Sequence, residues 1–243
     1  MVVILGTAHS KSTPGKCSPD KTLREYAYSR EICKKIKEQL MAKGIITVID
    51  IEGDEEISLQ NRCNIVNKYC SQFGKDNCIY VSVHVNAAGM GDKWMSAKGW
   101  SVFVCPMASQ NSRTLAQTLC TTALSKNLKG NRSVPINKYW TSNLYVLKNT
   151  KCPAVLTENM FQDNKEDVAF LLSEKGKRTI TEVHVEGILT YLKTLGNEEK
   201  ITQTPTLPYS LTLGLMSAKL WIGEALSSKG RNNSTLHRLY CLA

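Results

Sequence analysis

Long apolar runs are missing. No segment of the 243-residue chain reaches the roughly 18 consecutive apolar residues that cross a bilayer, so no transmembrane segment is expected. A secretory leader is missing too: MVVILGTAHS has no basic n-region and no small-residue cleavage site, and reads as a strand from its start. The expected place of synthesis is therefore the cytoplasm. The nine cysteines form no CxxC pair and show no zinc-finger spacing. Their odd number and apolar neighbourhoods point to buried free thiols in a chain folded under reducing conditions, not to a disulfide framework. Aromatics make up only 7% and interleave with no basic block, and no RNP-type motif occurs. The net charge of +10, from 31 Lys+Arg against 21 Asp+Glu, favours anionic polymers or surfaces, yet nothing beyond it supports a nucleic-acid partner.

What is present is organised around Cys78 to Ala88, CIYVSVHVNAA. Ile79, Val81, Val83 and Val85 alternate with Tyr80, Ser82, His84 and Asn86, the pattern of a buried strand that delivers His84 and Asn86 near its C-terminal end. Val2 to Thr7 is a second β-branched strand, and it runs into His9 and a polar loop, Ser10 to Asp20, expected to cross the top of the sheet. A helix is predicted over Leu23 to Lys43 from Ile32, Ile36 and Leu40, with Glu25 in its first turn and Gly44 as its stop. Ile45 to Ile51 reads as a strand, Ser58 to Phe73 as a helix with Ser58 as its N-cap, and Gly99 to Cys105 as a strand. Ser109 to Lys126 reads as a helix, Leu144 to Leu147 as a short strand, and Ala154 to Thr157 as the last strand, ending at Glu158. Two further helices are expected over Asp163 to Leu172 and Lys175 to Leu195, His184 being an ordinary residue of the second.

Alternation of strands and helices predicts an α/β fold: a twisted, mostly parallel sheet with helices on both faces, in a single catalytic domain over residues 1–196. Composition then shifts to a polar, Pro-bearing linker at 197–209. Residues 210–243 form an extension with one possible helix, Leu211 to Leu226, of unassigned role.

Four groups fall at strand ends or a helix start: His9, Glu25, His84 and Glu158. In an open α/β sheet, ligand sites collect at that edge. Two imidazoles and a carboxylate form a catalytic Zn2+ set with one open position, and a second carboxylate can shuttle the proton of an attacking water. The pattern points to a metal-dependent hydrolase. A first-turn glutamate that only favours its helix, and a Glu158 that only pairs with a lysine or arginine, are the plainer alternatives.

From Val2 to about Leu195 the chain resembles the catalytic domain of zinc-dependent N-acetylmuramoyl-L-alanine amidases, a family that includes phage endolysins. The resemblance rests on ILGTAHS, LREY, LQNRCNIVN, SVHVNAA and NLYVLKNTKCPAVLTENMF followed by DVAFLL. It implies one catalytic Zn2+ held by His9, Glu25 and His84, with Glu158 as catalytic acid/base. It implies peptidoglycan as substrate, cut between the lactyl group of muramic acid and L-alanine. Asn86 would lie beside the metal, Arg62 would brace the scaffold, and Arg132, in the basic loop Lys129 to Ser142 with Tyr139 and Trp140, is a candidate substrate contact. Such a protein acts on the cell wall after release or export, and a monomer is expected. The family usually carries a glycine-rich stretch around its first histidine and a glycine two residues past its last glutamate. Here Gly-Thr-Ala precedes His9 and Met160 takes the second place, which reads as altered loop shape. A phage lysin is the favoured setting. A bacterial wall-remodelling or cell-separation amidase, a peptidase acting on another amide and a non-catalytic wall-binding module are the rivals.

Overall fold

The computed structural model describes residues 1–90 and 92–196; the linker, the extension with its expected helix, and Cys241 lie outside the described residues. The chain builds β1 (Val2–Thr7), α1 (Glu25–Met41), β2 (Ile46–Ile49), α2 (Leu59–Phe73), β3 (Cys78–Asn86), β4 (Ser101–Val104) and α3 (Gln110–Ser125). It continues with β5 (Trp140–Thr141), α4 (Tyr145–Asn149), β6 (Ala154–Phe161), α5 (Lys165–Leu172) and α6 (Glu174–Thr194). The strands form one sheet in the order β2-β1-β3-β6-β4-β5. All neighbours are parallel except β4 with β6. The connection from β3 to β4 has no helix among the described residues to carry the chain back across a face of the sheet, and β4 returns antiparallel, beside β6.

The period-2 pattern of β3 divides the core. Ile79, Val81, Val83 and Val85 belong to the larger cluster, with Ile32 and Ile36 of α1, Leu115 and Leu119 of α3, and Ile180 and Ile188 of α6. Tyr80 faces the smaller cluster, beside Val66 and Cys70 of α2 and Val146 and Leu147 of α4. Among the described residues the α2/α4 layer covers only part of its face, so beyond the buried Ser82 the side chains of His84 and Asn86 reach a half-exposed corner. Ser58 caps α2 by accepting from the Asn61 N–H at 3.2 Å, and Gly44 ends the α1 region with φ +77°.

Three local expectations are corrected. Leu144 to Leu147 is not a strand: Tyr145–Asn149 is a helix, closed by Asn149 Nδ2 on the Tyr145 carbonyl and Thr150 Oγ1 on that of Val146. A four-residue apolar run carries too few periods to tell the two apart. The strand in this region is β5, inside the stretch read as loop. Finally, β6 does not end at Glu158 but continues to Phe161, through an irregularity in which His84 pairs with Glu158 and Asn86 with Phe161. The extra residue on β6 marks a β-bulge.

Candidate active site

The site begins at the end of β1. The Thr7 N–H donates to Asp50 Oδ1 at 2.9 Å, while Asp50 Oδ2 accepts from Arg62 Nη1 at 2.6 Å and from the Tyr80 hydroxyl at 3.1 Å. Arg62 therefore braces the scaffold. Gly6 is required here because a Cβ would run into the Tyr80 hydroxyl. His9 then turns into the left-handed region with φ +44°, a conformation that persists only when its surroundings hold it. They do: Arg30 donates from Nη2 to the His9 carbonyl at 3.1 Å and from Nη1 to that of Ala8 at 3.0 Å. Ser29 Oγ accepts from the Ala8 N–H at 2.9 Å and donates to the Val83 carbonyl at 2.6 Å, tying β1 to β3.

Both clamps come from α1, one turn beyond Glu25. The backbone N–H of Glu25 donates to the Lys16 carbonyl at 3.0 Å, so the loop from His9 folds back onto the helix start. The Glu25 side chain is 1% exposed. Its Oε1 accepts from the Val85 N–H at 3.1 Å and lies 3.1 Å from His84 Nδ1, and its Oε2 lies 3.3 Å from His9 Nε2 without a hydrogen-bond partner. The two imidazoles meet edge to face, with centroids 5.2 Å apart. One ligand atom from each of His9, Glu25 and His84 lies within 4.8 Å of the others, a group that can hold a metal ion.

The electrostatics favour ligation. Burial, opposed in part by Glu25, lowers the His9 pKa to about 4, which keeps its ring neutral. For Glu25, burial works to raise the pKa, but the hydrogen bond and charge of His84, the charge of His9 and the Val85 N–H together bring it below the usual carboxylate value. Glu158 behaves differently. It occupies the β6 position in register with His84, and its Oε2 is shut off from solvent with no hydrogen-bond partner. Burial first, then the Glu25 charge, push its pKa up to about 7, against the pull of His84, Lys16 and Arg132. A salt bridge does not account for Glu158: among the described residues no lysine or arginine pairs with its Oε2.

The remaining candidates lie further along this edge. Asn86 ends β3, its Oδ1 accepting from the Ala87 N–H at 2.9 Å. Arg132 is exposed in its loop but held over Trp140 and Phe161, with Nη2 donating to Ser101 Oγ at 3.3 Å. Of the two loop aromatics, Tyr139 is buried in the core, while Trp140 belongs to β5 and is half-buried. A cleft of about 160 Å³ opens beside His9 and His84, between the starts of α2 and α4, with Leu59, Tyr145 and Leu156 among its walls.

Ser29, Arg30 and Asn159 escape a reading by sequence. Ser29 left a signal, since it sits four residues after Glu25 and three before Ile32, on the buried stripe of α1. Asn159 left none: it donates to the His84 carbonyl at 2.9 Å and accepts from Trp100 Nε1 at 2.7 Å only because the chain brings β6 beside β3.

Known proteins carry the same arrangement of strands and helices. The chain is 30% identical over 164 residues to the endolysin of Bacillus phage SPP1, covering 67% of this chain and 56% of that protein. It is 22% identical over 188 residues to a sporulation-specific N-acetylmuramoyl-L-alanine amidase of Bacillus subtilis, covering 76% of this chain and 66% of that one. The chain thus spans less than two thirds of these relatives' lengths. The crystal structure of an N-acetylmuramoyl-L-alanine amidase from Clostridium difficile 630 superimposes with a TM-score of 0.67 at 25% identity, covering 79% of this chain and 97% of that one. Residues 3–190, from the middle of β1 into the last turns of α6, match the N-acetylmuramoyl-L-alanine amidase family, and to that family the chain belongs.

Proposed function

We propose that this protein is a zinc-dependent hydrolase that cleaves the amide between the lactyl group of N-acetylmuramic acid and the L-alanine of peptidoglycan stem peptides. The observation that carries the reading is the group His9, Glu25 and His84, with donor atoms within 4.8 Å, beside the unpartnered carboxyl of Glu158. Two imidazole nitrogens and one carboxylate oxygen suit Zn2+, and the buried, unpartnered Oε2 of Glu25 is an acceptor that a cation satisfies. His9, Glu25 and His84 are the proposed ligands. A zinc ion held there supplies Lewis acidity, polarising the scissile carbonyl and lowering the pKa of a water molecule towards about 7.

The chain's own groups do the rest. The Val85 N–H fixes Glu25 Oε1 and leaves Oε2 for ligation. Glu158, with a pKa near 7, takes the proton of the attacking water and returns it to the leaving L-alanine nitrogen; a group poised near the working pH serves both transfers. Asn86 and Arg132 contact substrate on either side of this carboxyl.

Residues 1–196 are the proposed catalytic unit, with 197–209 as linker and 210–243 as an extension. Identity to the phage SPP1 endolysin supports a role in phage-mediated lysis, the protein acting on the wall after its release. Similarity to the sporulation amidase and to a probable cell wall amidase of Staphylococcus aureus, at 22% and 26% identity, supports wall remodelling as the second reading.

Dye release from labelled peptidoglycan, with chelator and with zinc added back, followed by mass analysis of the products, tests the proposal. The expected products are free stem peptides beginning in L-alanine, lost with chelator and restored by zinc. Wall binding without release at any zinc level overturns it.

A further inference from the structure

We propose that Arg132 is the receptor for a carboxylate on the second residue of the leaving stem peptide, an inference that rests on the amidase reading above. Arg132 is an exposed loop residue, yet its position is fixed. Its guanidinium carbon lies 5.4 Å from the Trp140 ring centroid and 5.3 Å from that of Phe161, and Nη2 donates to Ser101 Oγ at 3.3 Å. Stacking engages the faces of a guanidinium and leaves its N–H edge, the part that matches a carboxylate in a two-pronged fork. Among the described residues no Asp or Glu forms an ion pair with it, although nine pairs of a lysine or arginine with a carboxylate occur elsewhere. A long side chain immobilised by two rings, with no direct ion pair among the described residues and only the longer-range charge of Glu158 facing it, is organised for an anion that arrives from outside.

The sheet order says which anion. Along the edge, His9 follows β1, His84 ends β3, Glu158 lies on β6, and Ser101, in register with Glu158, lies on β4. Arg132 sits over β4, β5 and the end of β6, on the far side of Glu158 from the histidines. A scissile carbonyl at the histidines and a leaving nitrogen at Glu158 send the leaving peptide towards Arg132. Adjacent strands are about 4.8 Å apart, so Arg132 lies one to two strand spacings beyond the acid/base. A peptide advances roughly 3.5 Å per residue, which brings the second residue level with the guanidinium. In peptidoglycan that residue is a γ-linked glutamate whose α-carboxyl is free in some walls and amidated in others. The predicted preference is for the free carboxylate.

The test uses the 243-residue chain and two muramoyl dipeptides that differ only in carboxylate or carboxamide at the second residue. Wild type should favour the carboxylate in kcat/KM by about ten- to a hundredfold, the range of one charge-assisted contact. Arg132→Gln should lose that preference, with kcat/KM on the carboxylate substrate falling about ten- to a hundredfold further than on the carboxamide. Arg132→Lys should recover part of it as a point charge without the fork. In parallel, calorimetric binding of the released dipeptides, free and amidated, reads the same contact without turnover. Equal wild-type rates and affinities on both forms, or an equal fall on both in Arg132→Gln, overturns the receptor while leaving the amidase reading intact. A carboxylate preference in binding that Arg132→Gln abolishes, with neither substrate cleaved, keeps the receptor and overturns the amidase reading.

Discussion

The two ends of β3 and β6 are built on opposite plans. At their N-terminal ends, Cys78 and Ala154 pack with Cys70 and Cys152 in a buried apolar layer beneath α2 and α4. Burial pushes the Cys78 thiol up to about 12, so it stays protonated and inert. At their C-terminal ends the same strands carry His84, Asn86 and Glu158. Here His9 and Met160 adopt φ of +44° and +66°, and Glu25 and Glu158 each bury an oxygen that no donor satisfies. One end is arranged for stability and the other holds strain and unmet polarity, which is the expected signature of a functional site.

The largest effect should come from Glu158→Gln. Removing a general acid/base costs about 10²–10⁴ in rate, so dye release should fall by that factor while zinc content, read by metal analysis of the purified protein, stays at the wild-type value. Loss of zinc together with activity would instead make Glu158 a ligand.

His184 sharpens the contrast from inside the core, because it is a buried histidine with partners. Its ring is bonded to the Ile180 carbonyl at 2.8 Å and to Thr157 Oγ1 at 2.9 Å, and burial lowers its pKa to about 4. The unfolded chain binds this proton below about 6.5, whereas the folded protein does so only near 4. Stability is therefore full above 6.5 and lost as pH falls towards 4. Urea unfolding should show a loss from this group of about 2 kcal/mol between about pH 7.5 and pH 5, and His184→Gln should flatten that slope.

At the N-terminal end, Cys78→Ser places a hydroxyl in a buried apolar layer and should lower stability by about 1–3 kcal/mol. Dye release per folded molecule should not change, and a fall in it would break the division of labour between the two ends.

The smallest effect tests the bulge. Both Met160→Ala and Met160→Gly lose the buried side chain, but only glycine relieves the left-handed backbone. The glycine variant should be the more stable of the two by about 1 kcal/mol in thermal unfolding, the reverse of the usual order in a strand.

This position also shows what a sequence can carry. A methionine where the resemblance leads to an expected glycine reads as a changed loop; the structure makes it a strained residue in a bulged strand. The bulge extends β6 past Glu158 and brings Phe161 level with Asn86, within reach of Arg132. Nothing in TENMF announces that register, because a bulge is defined by the partner strand.

Local periodicity by itself determined much of this protein. Alternation in CIYVSVHVN settled which face of β3 is apolar and put His84 and Asn86 on the other, and the four-residue stripe of Ile32, Ile36 and Leu40 set α1 with Glu25 at its start. These are short-range patterns with several repeats, and backbone geometry alone reads them. Tertiary structure decided the rest: that Tyr145–Asn149 is helical, that β4 runs antiparallel to β6, and that Ser29, Arg30 and Asn159 hold the histidine loops in place. Each of these depends on a neighbour many residues away, and a short apolar run or a lone polar residue has no period from which that neighbour can be inferred.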